Sequence, residues 1–235
     1  MYAHHRHVRG SPRKETLEKI ALAIGKIALP HPVRVGIDGM SASGKTSLAD
    51  ELAGLLKAKG KKVVRAGLDG FHNPPEVRHR QGPMSVQGYV EDSFDYLAVK
   101  EKVLQPLGPA GSGCYCSQIF DHQKGESINP VSNQAPVDSI LLFEGVMLFR
   151  KELVNFFDYR ILVMCSVEVI LERAKVRDLA HFGDIETLLE KYEKRFIPGQ
   201  NRYFLENKPD EVSDILLVND DPQSPTISTS EEKKG

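Results

Sequence analysis

The chain has 235 residues, and its 31 lysines and arginines nearly balance 32 aspartates and glutamates, giving a formal net charge of −1. This balance argues against a nucleic-acid binder, which usually carries an excess of basic residues or a basic face. Hydrophobic residues make up 40% of the chain, as in an ordinary soluble domain, and no apolar run approaches the roughly 20 residues that cross a bilayer, which excludes a membrane span.

Residues 1–12 are the first predicted segment, a His- and Arg-rich tail that we expect to be disordered. It lacks the apolar core of a signal peptide, and the three cysteines show no CxxC spacing, so a cytoplasmic protein without a disulfide framework or zinc site is expected. One domain is predicted over residues 13–220. A second disordered tail is predicted over residues 221–235, where no apolar pattern remains. Homo-oligomerisation is left open.

Hydrophobic periodicity predicts the order of the first elements. Apolar residues recur every three or four positions over residues 14–27, which indicates an amphipathic helix. A β-branched strand over 33–37 leads through a glycine-rich turn into a helix over 45–59 and a second strand over 62–68. Strand, helix and strand at such short spacing are typical of an α/β fold with a parallel sheet.

The middle of the chain is less regular. Residues 71–89 are rich in Pro, Gly, His and Arg, which predicts a long irregular connection of the kind that often carries function. A helix is expected over 94–104 and a hairpin over 117–128. The remaining elements are predicted as strands over 139–143, 159–164 and 214–218, and helices over 167–178 and 185–204.

Residues 39–46 match the pattern GxxxxGK[ST] between the first strand and the following helix. Glycines let successive backbone N–H groups point inward, and the helix N-terminus adds positive potential, so the loop can cradle phosphates. Lys45 can reach the β- and γ-phosphates, and the Thr46 hydroxyl can bind Mg²⁺. The pattern predicts nucleoside triphosphate binding by Gly39, Ser41, Ala42, Ser43, Gly44, Lys45, Thr46 and Ser47.

Two acidic residues are predicted at the sheet edge where ligands gather in doubly wound folds. Glu144 ends an apolar strand and can face Thr46 across a metal ion; the alternative is a surface acid. Asp69 ends the second strand, where a carboxylate can accept the proton of an attacking hydroxyl; the alternative is a turn cap. The neighbouring Phe71 and His72 either line an acceptor pocket or pack in the core.

The P-loop, the turn Asp69-Gly70-Phe71-His72 and the strand end Phe143-Glu144-Gly145 resemble the uridine kinase and phosphoribulokinase family, most closely its bacterial uridine kinase-like members. Residues 92–95, 173–178 and 192–198 share the likeness, which runs from about residue 33 to 220. It implies a P-loop kinase fold with a parallel five-stranded sheet, flanking helices, a small hairpin and an Arg-bearing lid at about 173–190. ATP, Mg²⁺ and a small-molecule hydroxyl acceptor are implied with it.

Carried over residue by residue, the resemblance implies that Asp69 is the catalytic base and that Glu144 is the second acid near the metal. Lys45 and Thr46 are implied as phosphate and Mg²⁺ contacts. Arg177 falls on the lid helix that covers the phosphates, where a planar guanidinium suits phosphate oxygens. Arg173, one turn earlier, is a weaker nucleotide-binding candidate.

The expected acceptor contacts depart from the family's pattern. Tyr89 stands where uridine kinases carry an acid that grips the ribose, and Phe120 begins a pair that is Tyr-Asp in those enzymes, with His122 at a different spacing. Arg78 and Arg80 add basic groups, which motivates the hypothesis that the acceptor carries a phosphate or carboxylate. The predicted acceptor contacts are therefore Phe71, His72, Arg78, Arg80, Tyr89 and Phe120.

Three functions remain compatible with these residues. The leading one is an ATP- and Mg²⁺-dependent kinase that phosphorylates a hydroxyl of a nucleoside such as uridine or cytidine. The second is a kinase of another hydroxylated metabolite, such as a sugar phosphate, glycerate or a pantothenate-like acid. The third is a regulatory module that binds the nucleotide without transferring phosphate.

Overall fold

The computed structural model describes residues 12–121 and 124–229. The tail predicted over residues 1–12 lies outside this range apart from Pro12, and so do His122 and residues 230–235. Among the helices of the described residues, none has both the length and the apolar character needed to cross a membrane.

In the first half of the chain, helices and strands alternate over the first four elements, as the periodicity predicts, and short helices and then two short strands follow. The elements there are α1 (Arg13–Gly25), β1 (Val33–Gly39), α2 (Lys45–Ala58), β2 (Lys62–Gly67), α3 (Pro75–Arg78), α4 (Val86–Asp92), α5 (Tyr96–Val99), β3 (Cys114–Tyr115) and β4 (Phe120–Asp121).

The second half completes the sheet and adds a run of helices. Its elements are β5 (Glu126–Ser127), β6 (Asn133–Gln134), β7 (Ser139–Gly145), β8 (Tyr159–Met164), α6 (Val167–Arg177), α7 (Leu179–Phe182), α8 (Ile185–Lys191), α9 (Ile197–Asn207), α10 (Pro209–Val212), β9 (Ile215–Val218) and β10 (Thr226–Thr229). A π-helical turn, Tyr192–Phe196, joins α8 to α9.

The central sheet has the strand order β10-β9-β8-β1-β7-β2. All neighbouring strands are parallel except β10, which runs antiparallel to β9. β1 is buried along its whole length and β7 at all but one residue, because elements cover both faces of a largely parallel sheet. The α/β P-loop fold with a parallel sheet is thus confirmed, and its parallel part contains the five predicted strands.

The sheet edge next to β9 differs from the sequence-based prediction. The sequence predicts five strands and a disordered tail over 221–235, but Thr226–Thr229 form the sixth strand, paired with β9. Ile227 packs against the apolar cluster beneath that edge. A four-residue strand with one strongly apolar side chain is too short to leave a periodic signal. The β-branched residues Thr226 and Ile227 nevertheless suit a strand.

The connection over residues 71–89 is also more regular than predicted, because it contains α3 and the start of α4. Pro75 occupies the first turn of α3, and Ser85 caps α4 by accepting a hydrogen bond from the backbone N–H of Gly88 at 3.0 Å. The predicted hairpin is an antiparallel pair, β4 with β5, flanked by a second pair, β3 with β6.

The N-terminal helix is fastened to the C-terminal part of the described chain. The backbone N–H of Arg13 donates to the carbonyl of Gln223 at 2.9 Å, and its guanidinium donates to the carbonyl of Pro222 at 3.1 Å. The same guanidinium forms a two-bond pair with Glu51 of α2 at 2.7 and 2.8 Å. Helices α1 and α2 pack together on one face of the sheet through Leu17, Ile20, Ile24, Leu48, Leu52 and Leu56.

Candidate active site

The loop between β1 and α2 has the backbone shape of a phosphate-binding nest. Ala42 and Gly44 both have left-handed backbones, with φ of 61° and 98°, and such alternation turns successive N–H groups toward one side. A side chain at Gly44 would also meet the Asn219 amide, because its Cβ would lie 2.6 Å from Nδ2. The predicted P-loop residues are therefore brought together at the N-terminus of α2.

Lys45 lies at the mouth of this loop. Its side chain is buried, and Nζ donates a hydrogen bond to the carbonyl of Met40 at 2.8 Å. Burial lowers the pKa of Lys45, while the charges of Glu144, Asp38 and Asp69 act in the opposite direction. The ammonium group is thus held beside the nest and among carboxylates, as a phosphate-binding lysine requires.

Thr46 and Glu144 meet at the carboxyl edge of the sheet. The Thr46 hydroxyl donates to Glu144 Oε1 at 3.1 Å, because β1 and β7 are neighbouring parallel strands that end side by side. Burial raises the pKa of Glu144, and the nearby Lys45 opposes that rise. Asp69 also faces this group, since its charge raises the pKa of Glu144 further.

This donor set fits Mg²⁺. The ion prefers one or two carboxylates, keeps several waters and takes its remaining ligands from substrate phosphates. Thr46 and Glu144 supply a hydroxyl and a carboxylate, and Asp69 lies close by. Residues 12–121 and 124–229 contain no cluster of three His, Cys, Asp or Glu side chains that could hold a metal ion.

Beside the P-loop lies a cavity of about 280 Å³. Arg173 forms one wall: its guanidinium donates to the carbonyls of Ser43, Asn219 and Asp220 at 3.2, 2.6 and 3.1 Å. Arg173 therefore ties the P-loop to the segment that follows β9. The cavity is lined by Arg13, Ala42, Gly44, Lys45, Thr46, Ser47, Arg173, Arg177, Asn219 and Pro222.

Arg177 lines the same cavity from the end of α6. Its Nε and Nη2 donate to the two oxygens of Asp178 at 2.6 and 2.8 Å, and Nη2 also donates to the Tyr192 hydroxyl at 3.2 Å. The hydrogen bonds to Asp178 raise the pKa of Arg177. The predicted lid segment corresponds to helices α6 to α8, which pack against Met40 and Ala42 of the P-loop.

Asp69 lies in a 3₁₀ turn directly after β2 and is exposed. β2 pairs with β7 so that Gly67 lies opposite Glu144, and the charge of Asp69 acts on Lys45, Glu144 and Arg177. The neighbouring His72 is half-buried, with Nδ1 2.9 Å from the Asp69 carbonyl and its ring 4.5 Å from that of Phe94. Asp69 and His72 thus lie in the same turn, and their role toward an acceptor stays a prediction.

Two predicted acceptor contacts are core residues. Phe71 is fully buried and packs against Phe143, with ring centroids 6.3 Å apart. Phe120 is 1% exposed, and its centroid lies 6.0 Å from that of His72. Both rings lie in the interior, as the packing alternative for Phe71 expects, and their contact with an acceptor stays a prediction. Phe71 anchors the turn after β2, because its apolar ring is buried in the core.

Arg80 pairs with a buried acid, and its contact with an acceptor stays a prediction. Its guanidinium forms an ion pair with Asp92, which is 2% exposed and accepts a second hydrogen bond from Gln81 Nε2 at 2.6 Å. Burial alone would raise the pKa of Asp92, but the bonds from Arg80 and Gln81 lower it. Arg80 therefore neutralises a buried carboxylate.

Tyr89 lies beside Ser41 of the P-loop, and Arg78 lies over Phe120. Tyr89 is 6% exposed and packs on Phe196 with ring centroids 5.0 Å apart. Burial raises the pKa of Tyr89, and the Ser41 side chain of the P-loop opposes that rise. Arg78 places Cζ 5.5 Å from the Phe120 ring centroid.

Two residues that support the P-loop escaped the sequence analysis. Asp38 is fully buried and accepts hydrogen bonds from the N–H groups of Gly39 and Phe149 at 2.7 and 3.1 Å and from the Tyr203 hydroxyl. Burial raises the pKa of Asp38. The sequence signal that could have identified Asp38 is an acidic residue inside the apolar β1 strand. Gln200 accepts from the Ser41 N–H at 2.7 Å, and no local pattern marks it.

A model of the "Phosphoribulokinase / Uridine kinase family" matches residues 34–207. Uridine-cytidine kinase B of Dictyostelium discoideum is 30% identical over 192 residues, covering 80% of this chain and 74% of that protein. The chain spans only 36% to 38% of the length of four further curated relatives.

Solved structures show the same fold. A structure described as a "possible uridine kinase" from Bacillus stearothermophilus has a TM-score of 0.69 at 20% identity, covering 86% of this chain and 97% of that chain. D-glycerate 3-kinase from Cryptococcus neoformans has a TM-score of 0.58 at 13% identity, covering 89% and 96%. At these identities the likeness supports the fold alone.

Proposed function

Because the chain belongs to the phosphoribulokinase / uridine kinase family, we propose that it transfers the γ-phosphoryl group of ATP to a hydroxyl group of a small molecule. One observation carries the proposal: Lys45, the Thr46–Glu144 pair and Asp69 converge at one edge of the sheet. A protein that only bound nucleotide would need the lysine and the threonine, but it would not need Asp69 beside them.

The donor nucleotide occupies the P-loop and the adjoining cavity in this proposal. The backbone N–H groups of the nest bind phosphate oxygens, and Lys45 neutralises the charge that develops on them. Arg177 faces the same cavity with its guanidinium already oriented by Asp178. A rotation of its side chain brings the free N–H groups onto the transferred group, where a planar guanidinium binds two oxygens.

Mg²⁺ supplies charge neutralisation between the phosphates when it is bound, and Thr46 with Glu144 would hold it. The chain's own residues carry the proton transfer. A bond forms between the acceptor oxygen and the γ-phosphorus while the bond from that phosphorus to the leaving oxygen of ADP breaks. Asp69 takes the proton of the acceptor hydroxyl, a role that usually contributes about 10²- to 10⁴-fold. Helices α6 to α8 limit access of water to this reaction.

Uridine and cytidine are the acceptors to test first, because the D. discoideum relative is named for them. The experiment measures ADP release from ATP and Mg²⁺ with uridine, cytidine, ribose, ribulose 5-phosphate, glycerate and pantothenate. Lys45→Ala is the inactive control, and Lys59→Ala at the exposed end of α2 is its matched partner. Acceptor-dependent ADP release that Lys45→Ala abolishes and Lys59→Ala preserves supports a kinase.

The regulatory-module alternative predicts a different result. ATP binds, and slow hydrolysis proceeds at a rate that no acceptor changes. Under that interpretation Asp69→Asn leaves the hydrolysis rate unchanged. A kinase instead loses acceptor-dependent turnover in this variant while it still binds ATP.

A further inference from the structure

Four basic side chains from two distant parts of the chain act on one another's charge. They are Arg78, His79, Lys191 and Arg195, here called the basic cluster, and Arg195 lies against the Tyr89 ring. Arg78 and His79 lie at the end of α3, Lys191 ends α8, and Arg195 lies in the π-helical turn. They are close enough to act on one another, since burial lowers the pKa of His79 and the charges of Arg195, Arg78 and Lys191 lower it further. The fold thus holds together groups that repel.

Arg195 is the most deeply buried member, with 5% of its surface exposed. Among the described residues its buried Nε has no hydrogen-bond partner, and the same holds for Nε of Arg78 and Nδ1 of His79. The Tyr89 and Phe196 rings lie 5.3 and 5.7 Å from Arg195 Cζ. These rings stabilise the flat face of the cation, but they leave its N–H edge without an acceptor.

Buried charges are ordinarily paired, and nearly all buried polar atoms have a hydrogen-bond partner. The nearest buried acid on the same part of the chain, Asp92, is already bound by Arg80 and Gln81. Two buried guanidinium Nε–H groups and a histidine ring nitrogen lack partners here, and guanidinium groups of this kind suit phosphate or carboxylate oxygens. The cluster therefore has the composition of an anion site.

The position of the cluster connects it to the reaction centre. On one side Arg195 contacts Tyr89, whose hydroxyl end faces Ser41 of the P-loop. On the other side Arg78 lies over Phe120, which contacts His72 in the turn that carries Asp69. A molecule bound to the cluster is thereby placed on the acceptor side of the site.

We infer that Arg78, His79 and Arg195 bind an anionic oxygen group of the phosphoryl acceptor, so that the acceptor is an alcohol that also carries a phosphate or carboxylate. The inference rests on the proposed function and narrows its substrate class. The acceptor's anionic group is anchored at the cluster, and its hydroxyl extends toward Asp69. Tyr89 separates the acceptor's charge from the phosphates in the P-loop.

Binding of inorganic phosphate tests the site without any phosphoryl transfer. The protein is first saturated with ADP and Mg²⁺, so that the P-loop is filled, and phosphate is then titrated by calorimetry. We expect binding that Arg195→Gln weakens at least about tenfold, the usual effect of losing a charged hydrogen bond. Lys194→Gln is the matched control, because it removes a charge from the neighbouring exposed residue. Absence of phosphate binding to the ADP-loaded protein overturns the anion site, whether or not the protein proves to be a kinase.

Matched acceptors test the substrate class. Ribulose 5-phosphate and ribulose test the effect of a phosphate group on the acceptor. Two further pairs, glycerate with glycerol and pantothenate with pantothenol, test the effect of a carboxylate. We expect a charged member of a pair to be favoured at least about tenfold in kcat/KM, and Arg78→Gln to abolish that preference without changing the KM for ATP. Equal use of both members of every pair, or a preference for uridine over all charged acceptors, overturns the inference and leaves the kinase assignment intact.

The burial of Arg195 calls for a folding control. Arg195→Lys keeps the positive charge, so it should retain more phosphate binding than Arg195→Gln if charge holds the anion. Thermal unfolding of each variant shows whether it is folded. Equal phosphate affinity in folded Arg195→Gln and wild type contradicts the role of this residue, and Arg78→Gln provides the same test from α3.

Discussion

The Thr46 hydroxyl donates a hydrogen bond to the Glu144 carboxylate at 3.1 Å, although 98 residues separate them along the chain. The contact exists because β1 and β7 are parallel neighbours, so the helix that follows one strand starts beside the end of the other. This hydroxyl and this carboxylate, in contact at the mouth of a P-loop, are the groups that we propose as the protein's part of an Mg²⁺ site.

Glu144→Gln should therefore weaken the binding of Mg²⁺, because it removes the negative charge while keeping the side-chain shape. We expect the Mg²⁺ concentration for half-maximal activity to rise about 10- to 100-fold, as for other groups that orient a metal's ligands. The measurement is initial rate against free Mg²⁺ at saturating ATP. Asp138→Asn, at the opposite end of β7 and exposed, is the control. An unchanged Mg²⁺ requirement in Glu144→Gln would show that Glu144 does not bind the ion.

Asp69→Asn should reduce kcat by about 10²- to 10⁴-fold, the range of general base contributions. Because the side chain is exposed, the unfolding temperature and the KM for ATP should stay near wild type. Single-turnover kinetics with the best acceptor of the panel provides the measurement. A loss below tenfold would make Asp69 a residue of the turn rather than the base.

Arg173 should matter for the shape of the nucleotide site. Its guanidinium bonds carbonyls of both the P-loop and the segment after β9, so Arg173→Ala should raise the KM for ATP and lower the unfolding temperature together. Lysine cannot span several carbonyls as the planar guanidinium does, and Arg173→Lys should restore little of either property. Full recovery in Arg173→Lys would show that only charge is needed.

Asp92 should give the fold a pH-dependent contribution. Its pKa in the folded protein lies below the usual value of 3.8, so the stabilisation is present above that pH and is lost as pH falls through the folded pKa. We expect Asp92→Asn to lower the free energy of unfolding by about 1 to 3 kcal/mol at neutral pH, the usual effect for a hydrogen bond to a charged group. The difference from wild type should shrink below about pH 4.

Urea unfolding at about pH 7, 5 and 3.5 measures this difference. Arg80→Gln should also lose stability at neutral pH, while the KM of the acceptor stays unchanged because Arg80 is bound to Asp92. If the stability difference between Asp92→Asn and wild type is the same at every pH, the carboxylate titrates outside this range.

Sequence reasoning could predict that the P-loop and Glu144 come together because their signals are local. The glycine-rich loop, Lys45 and Thr46 lie within one short motif, and Glu144 ends an apolar strand. Parallel-sheet geometry then brings strand ends together without further information. The edge strand β10 was missed because its four residues are too few to show a period.

The acceptor side was harder to predict because its contacts join distant segments. Whether Phe71 lines a cleft or enters the core depends on what packs against it, and Phe143 settles that only in the folded chain. The sequence around Arg80 does not show that this residue pairs with Asp92, which is 12 residues away. Arg195, in turn, has no neighbour in the sequence that marks it as buried beside Arg78.

Because Arg13 is hydrogen-bonded to Gln223, we expect helix α1 and the C-terminal end of the described chain to unfold locally as one unit. Helix α1 cannot detach without breaking the bonds of Arg13 to Pro222 and Gln223, and Arg13 itself lines the nucleotide cavity. Amide hydrogens of α1 and β10 should consequently exchange with solvent at a common opening free energy. Since a ligand stabilises the states that bind it, a nucleotide in the cavity should slow exchange in both elements, although they are the first helix and the last strand.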